Sequence, residues 1–212
     1  MNCCQGECRD LPFDDKRAAK DLRRYRRKGP DKTTRLLLEA LGAEDIRGAA
    51  LLDVGGGVGV VHHELLAAGA QSAVQVDAAA PYLRAARAEA ERRGHAGRVT
   101  FRHGDFVALA PEIAAADVVT LDRVICCYPD MEQLVAASAS RARRLYGAVF
   151  PRETRLVRAA LALGNLALRV RRSAFRAYLH PPAAIDAADR RQGLRLRSVR
   201  DTLLWRVAVY AR

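Results

Sequence analysis

The chain has 212 residues, 50% hydrophobic and 28% charged, a balance that suits one α/β domain with small appendages and excludes collagen-like, low-complexity and globally disordered classes. Its net charge of +12 is unevenly spread: residues 9–35 carry +6, residues 36–151 carry −3 and residues 152–212 carry +10. The longest apolar stretch, residues 159–168, is half the ~20 residues that a bilayer span needs, and residues 1–10 lack the apolar core of a secretory signal. The reading is therefore a soluble, cytoplasmic protein with no transmembrane segment.

The start is cysteine-rich, with Cys3, Cys4 and Cys8; Cys126 and Cys127 follow much later. An odd count without a CxxC pair argues for reduced thiols rather than a disulfide framework or a structural zinc site. No metal is expected, although Cys3, Cys4 and Cys8 are candidate soft-metal ligands should the fold bring them to the second pair. Residues 14–28 then read as a charged helix, acidic in its first turn and basic in its last, as the helix dipole favours. Gly29 and Pro30 stop it, and Asp31 offers an N-cap to a second helix over 32–41 with Leu37, Leu38 and Leu41 on its apolar face. Residues 1–34 are thus a cysteine-rich segment and helical cap, and 35–212 the main domain. In the main domain, strands at 50–54, 73–76, 99–102, 117–121 and 146–150 alternate with helices at 60–68, 81–93 and 131–145. An apolar, arginine-bounded insertion follows at 152–177, then a helix at 182–192 and strand-like runs at 194–200 and 203–210. Strand alternating with helix argues a parallel sheet covered on both faces. Only four cations are lysine and 32 are arginine, whose planar fork binds carboxylate or phosphate; solvated arginines on helix faces are the competing reading.

The first strand ends in Asp53-Val54-Gly55-Gly56-Gly57-Val58-Gly59 and runs straight into a helix. Such a turn lets a ligand approach the backbone and offers helix N-terminal amides, and alone it fits a nicotinamide or flavin nucleotide equally well. Valine at position 60 breaks the dinucleotide spacing GxGxxG, and the observed GxGxG favours a cofactor without a pyrophosphate. The second strand ends in Asp77-Ala78, placed to hold both hydroxyls of a ribose. The third is followed by Gly104-Asp105-Phe106, an acid beside an aromatic, and the fourth delivers Asp122-Arg123.

This series resembles the class I S-adenosylmethionine-dependent methyltransferases over residues 50–150, with the sheet continuing to the C-terminus. The resemblance implies a Rossmann-like, seven-stranded, mostly parallel sheet with helices on both faces, the last strand antiparallel and an N-terminal helical cap. It implies S-adenosylmethionine as cofactor and S-adenosylhomocysteine as product. Asp53, Gly55, Gly56, Gly57 and Gly59 would border the methionine part, Asp77 and Ala78 the ribose, and Asp105 and Phe106 the adenine. Asp122 and Arg123 would open the loop facing cofactor and substrate. LLDVGGGVG, GDF and RVICCYPD are most like the small-molecule branch that includes ubiquinone, menaquinone and magnesium-protoporphyrin methyltransferases. In that loop Cys126 and Cys127 stand where relatives often carry a histidine pair.

A sulfonium methyl is already activated, so the protein's task is to align the acceptor and exclude water, with a general base optional. Tyr128 and His180 are the candidate catalytic groups, and Cys126, Cys127 and Tyr128 the candidate substrate contacts. His62 and His63 are read as covering a first helical turn, and His103 as ending a strand. The insertion is read as a lid, whose basic, apolar character suits a small anionic or aromatic acceptor; a homodimer contact and an acidic membrane surface are the other readings. The cysteines also suit an arsenite-type metalloid acceptor. The basic flanks suit RNA, yet no nucleic-acid motif supports it. A non-catalytic, cofactor-binding role completes the alternatives.

Overall fold

A computed structural model describes residues 13–212; Cys3, Cys4 and Cys8, and the soft-metal expectation attached to them, lie outside the described residues. The strands are β1 Ala50–Val54, β2 Ser72–Asp77, β3 Val99–His103, β4 Ala116–Asp122, β5 Ala142–Pro151, β6 Arg195–Asp201 and β7 Trp205–Ala211. They form one seven-stranded sheet in the order β3-β2-β1-β4-β5-β7-β6. β1 to β5 pair in parallel, while β7 runs antiparallel between β5 and β6. The chain steps outward from β1 to β3, then crosses to β4 on the other side. That reversal opens a crevice at the carboxyl ends of β1 and β4.

Helices α1 Asp15–Lys28, α2 Lys32–Gly42, α3 Val60–Ala67, α4 Ala80–Arg92, α5 Phe106–Leu109, α6 Met131–Ala139, α7 Arg155–Val170 and α8 Pro182–Arg191 complete the fold. Adjacent strand residues face opposite sides, so the largely apolar strands β1, β4 and β5 supply two cores. Leu52, Val119, Leu121 and Tyr146 pack with α6 and α8 on one face. Leu51, Val118, Leu145 and Val149 pack with α2 and α3 on the other. Asp14 and Asp31 cap α1 and α2 through their side chains, accepting from Arg17 and Thr34 N–H. α1 then lies on α4, burying Ala18, Leu22 and Tyr25 against Val58, Ala79 and Tyr82.

One expectation requires correction. The helix expected over 131–145 ends at Ala139, and Ala142 and Leu145 already pair with Ala116 and Val118 of β4. Sheet pairing overrides the helical propensity of this alanine- and arginine-rich stretch. Within the insertion only α7 is helical; residues 173–181 run without regular structure back toward the sheet. Among the described residues, no helix is long and apolar enough to cross a membrane.

Candidate active site

The turn after β1 is built by backbone geometry. Gly55 has φ +62°, and a Cβ there would sit 2.6 Å from a methyl of Val124; Gly55 N–H is anchored on the Val76 carbonyl at 2.7 Å. At the end of β2 the Asp77 carboxylate accepts from Gly57 N–H at 2.9 Å and from Ala79 N–H at 2.8 Å. One carboxylate thus joins the glycine turn to the β2 end. Burial pushes Asp77 up to about 6, against the pull of those two amides.

A buried polar layer supports this turn from beneath. Asp53 accepts from Thr120 Oγ1 at 2.8 Å and bonds His62 Nδ1 at 2.8 Å, and His63 Nδ1 lies 3.2 Å from His95 Nδ1. Both helix histidines are fully buried. Burial, followed by the neighbouring His62 and His95, drives His63 down to about 3, so it is neutral at physiological pH. Gly59, at φ +85°, has no room for a Cβ, which would approach the His62 ring to 2.7 Å. The histidine pair lies in the first turn of α3, as expected, and is scaffold under the glycine turn, a role its partners Asp53 and His95 reveal.

Above the turn lies a cavity of about 440 Å³, within the range of small-molecule sites. Its floor is the glycine turn with Asp77 and Ala78; Gly104 and Phe106 close one side, and Asp122, Arg123, Cys127 and Tyr128 the other. Its roof comes from the N-terminal cap: Phe13, Arg17, Asp21, Arg24 and Tyr25. The roof is fastened at several points. Tyr82 Oη donates to Asp21 at 2.7 Å and Tyr25 Oη to Glu64 at 2.5 Å. At the α1–α2 junction Thr34 Oγ1 donates to Asp122 at 2.5 Å, and the Arg123 guanidinium bridges Asp31 at 2.6 Å and Asp122 at 3.0 Å. Burial works against the charge of Asp31, but Arg123 and the donors Thr34 N–H and Thr33 Oγ1 hold its carboxyl well below the usual range. Arg123 adopts φ +64°, an uncommon conformation for a side-chain-bearing residue that these bonds hold in place.

Of the residues expected at the site, Asp53, Gly55, Gly56, Gly57, Asp77, Ala78, Phe106, Asp122, Arg123, Cys127 and Tyr128 meet at this cavity. Gly59, Asp105, Cys126 and His180 do not line it. Gly59 caps α3. Asp105 accepts from Val107 N–H at 3.0 Å, capping α5, and from Tyr128 Oη at 3.0 Å. His180 Nε2 lies 2.9 Å from the Tyr128 carbonyl; that contact places the proton on Nε2, which is then a donor fixing the loop. His103 lies at the end of β3, its Nε2 3.1 Å from the Ala78 carbonyl. Cys126 and Cys127 bring their sulfurs to 3.9 Å, each also near the Arg123 carbonyl at 3.5 and 3.6 Å. The hydrogen bond from Cys127 lowers the Cys126 thiol despite its burial.

α7 contributes no side chain to the cavity. The strap behind it does approach: Phe175 meets Phe13 edge-on at 5.5 Å, and Tyr178 N–H donates to the Cys126 carbonyl at 2.7 Å. Sequence reasoning missed Phe13, Arg17, Asp21, Thr34 and Tyr82. The one available signal was aromatic: Tyr25 within a charged helix and Tyr82 in the first turn of α4 are costly to expose without a partner.

Residues 51–145 match the family model described as a methyltransferase domain, and no curated protein matches the chain. Among solved structures, magnesium protoporphyrin IX methyltransferase from Synechocystis PCC 6803 with bound SAH aligns at 22% identity and TM-score 0.69, over 92% of this chain and 95% of that one. An O-methyltransferase family protein from Burkholderia thailandensis aligns at 21% and 0.68, over 95% of this chain and 64% of that one. An O-methyltransferase family 2 protein from Planctomyces limnophilus in complex with apigenin aligns at 18% and 0.70, over 92% and 61%. At these identities the likeness to solved structures is one of fold.

Proposed function

We propose that this chain, whose residues 51–145 match a methyltransferase-domain model, is an S-adenosylmethionine-dependent enzyme that transfers a methyl group to a small aromatic acceptor by in-line displacement. When bound, S-adenosylmethionine supplies a sulfonium methyl that needs no further activation. One observation carries the reading: Asp77 is tied to Gly57 N–H at 2.9 Å on the floor of a cavity of about 440 Å³, so a carboxylate and a glycine turn line one cavity.

The residues divide the work. In this reading Asp77 accepts from the ribose hydroxyls, Phe106 packs on the adenine, and the open backbone at Gly55–Gly57 takes the amino-acid end. Asp53 holds the turn's shape through His62 and Thr120 instead of touching the ligand with a free oxygen. The acceptor lies between Cys127, Tyr128 and the aromatic roof. Each roof arginine already has a carboxylate partner, Arg17 with Asp21 and Arg24 with Asp31, and Arg123 on the side wall also pairs with Asp31. That pairing, beside the apolar rings, favours an aromatic surface over net negative charge as the recognised feature. Tyr128 orients the acceptor, with its Oη–H committed to Asp105, and His180 acts as a positioning residue through the Tyr128 carbonyl. The cap over the cavity excludes water from the reacting atoms.

The test is transfer of labelled methyl from S-adenosylmethionine into a cell extract separated into small molecules, RNA and protein, beside the Asp77→Ala variant. Label in the small-molecule fraction, lost in the variant, is the expected result. Label in RNA would move the acceptor to the basic flanks, and absence of transfer to any fraction despite cofactor binding would replace catalysis with binding.

A further inference from the structure

α7 turns only a narrow stripe toward the protein. Val157 is buried, and Asn165 is held by two hydrogen bonds to the Ala177 backbone at 2.8 and 2.9 Å. On the opposite face Leu156, Leu163, Leu166 and Val170 are 55% to 76% exposed, and their spacing places them on one stripe of the helix. The turn between β6 and β7 extends this surface. Arg152 N–H donates to the Leu204 carbonyl at 2.9 Å and its Nη1 to the Thr202 carbonyl at 2.9 Å, so Leu203, 71% exposed, projects beside the start of the helix. Exposed apolar side chains gathered on one helix stripe in this way point to an interaction site.

The surrounding charge selects the occupant. Between Thr154 and Ile185 there is no acidic residue, whereas six arginines occur there. Arg158 reaches back to Glu153 at 3.1 Å, and Arg176 is folded onto the Ser173 and Phe175 carbonyls. Arg155, Arg169, Arg171 and Arg172 are exposed at the two ends of the stripe with no ion pair among the described residues. A second copy of this helix, parallel or antiparallel, would bring arginine against arginine. An anionic bilayer instead offers hydrocarbon to the leucines and negative headgroups to the arginine collar.

We propose that α7 and the β6–β7 turn form a docking surface for an anionic lipid bilayer, with the helix lying in the plane of the interface. This surface is independent of the methyl-transfer reading. The strap that follows α7 is tied to the Cys126 carbonyl through Tyr178 N–H.

The full chain is sedimented with phosphatidylcholine vesicles that either contain or lack phosphatidylglycerol, alongside the Leu163→Ser/Leu166→Ser variant, which keeps every charge. The substituted side chains are exposed, and circular dichroism and the melting temperature check that the variant folds as the parent does. Expected are binding to the anionic vesicles, weak binding to the neutral ones, loss at about 1 M salt where the screening length falls to about 3 Å, and a partition about ten-fold lower for the variant. Trp205, the single tryptophan, starts β7 beside the turn, and its emission should be quenched by lipids brominated on their acyl chains. Three results would overturn the proposal. They are absence of sedimentation with either vesicle, variant binding equal to the parent, which reduces the attraction to net charge, and a light-scattering dimer that the variant dissolves while vesicles leave it intact, which assigns the face to a second copy.

Discussion

Asp77 is the residue through which acidity reaches this site. Its carboxyl titrates near 6 in the folded chain against 3.8 unperturbed, so as pH falls the native state takes up the proton first. Linkage then has two opposite signs. The contribution of Asp77 to the stability of the ligand-free protein is fully present below about 4 and lost as pH rises through about 6. Hydroxyl donors of a ligand favour the ionised carboxylate, so affinity rises through the same window. S-adenosylhomocysteine titrated calorimetrically should bind about ten-fold more weakly per pH unit below 6 and be flat above about 7, with Asp77→Asn weaker throughout and flat across the window. A wild-type profile without that inflection would remove Asp77 from the binding surface. Gly59→Ala tests the layer beneath: a positive φ and a His62 ring 2.7 Å from the new Cβ should together cost about 2–4 kcal/mol in urea unfolding. A cost below about 1 kcal/mol would mean the histidine layer gives way freely.

The N-terminal cap, at the scale of elements, behaves as a roof latched at its hinge. Removing Arg123 leaves Asp31 and the more deeply buried Asp122 facing one another, and burial already raises Asp122 against the opposing pull of Arg123. Arg123→Ala should therefore loosen α1 more than the sheet. Trypsin, which can cut at Arg23, Arg24, Arg26, Arg27 and Lys28, should clip α1 several-fold faster while the global melting temperature falls by only a few degrees, as for a local opening. Equal cleavage in the two proteins would put the latch elsewhere, at Tyr25–Glu64 or Tyr82–Asp21. α8 offers a separate reading of burial. Asp189 is pushed up to about 8 by desolvation and then by Asp186, so its contribution to stability is fully present below about 4 and lost as pH rises through about 8. Melting temperature should drop between pH 6 and 9, and Asp189→Asn, which cannot ionise, should flatten that drop.

These elements also show what kind of information the sequence held. Apolar runs at β1, β4 and β5 and the cap Asp31 were legible because they depend on neighbours a few residues away, whereas Asp14, read as the first residue of its helix, caps it instead. The end of α6 was not, since the residues from Ala142 to Leu145 fit a helix as well as a strand until β4 lies alongside. The glycine turn, Asp77 and the Asp122–Arg123 corner were legible as a series along the chain. The His63–His95 contact, the Tyr82–Asp21 fastening of the roof and the Thr34–Asp122 bond join residues far apart in sequence. Their partners are fixed only by the fold. The lid expectation divides in the same way: an apolar, basic helix could be read from spacing, but not that its apolar side would point away from the cavity.

Over the whole molecule, the cavity sits where the cap meets the sheet crevice, so a ligand there should stabilise both together. Binding to the native state alone adds RT ln(1 + [L]/Kd), about 2.7 kcal/mol at 100-fold saturation, which for a chain of this size corresponds to a rise in melting temperature of about 5–10 °C. S-adenosylhomocysteine should give that rise, Asp77→Ala should abolish it, and α1 should become resistant to trypsin in step with occupancy, because Tyr25, Arg24 and Arg17 line the cavity. The two readouts separate the parts of the argument. A rise in melting temperature with unchanged cleavage of α1 would keep the ligand on the glycine turn and Asp77 while denying the cap a role in holding it. Protection of α1 with no rise would point to a ligand contacting the cap but not the sheet. Only movement of both supports a site whose roof and floor close on one molecule, the arrangement that water exclusion during methyl transfer requires.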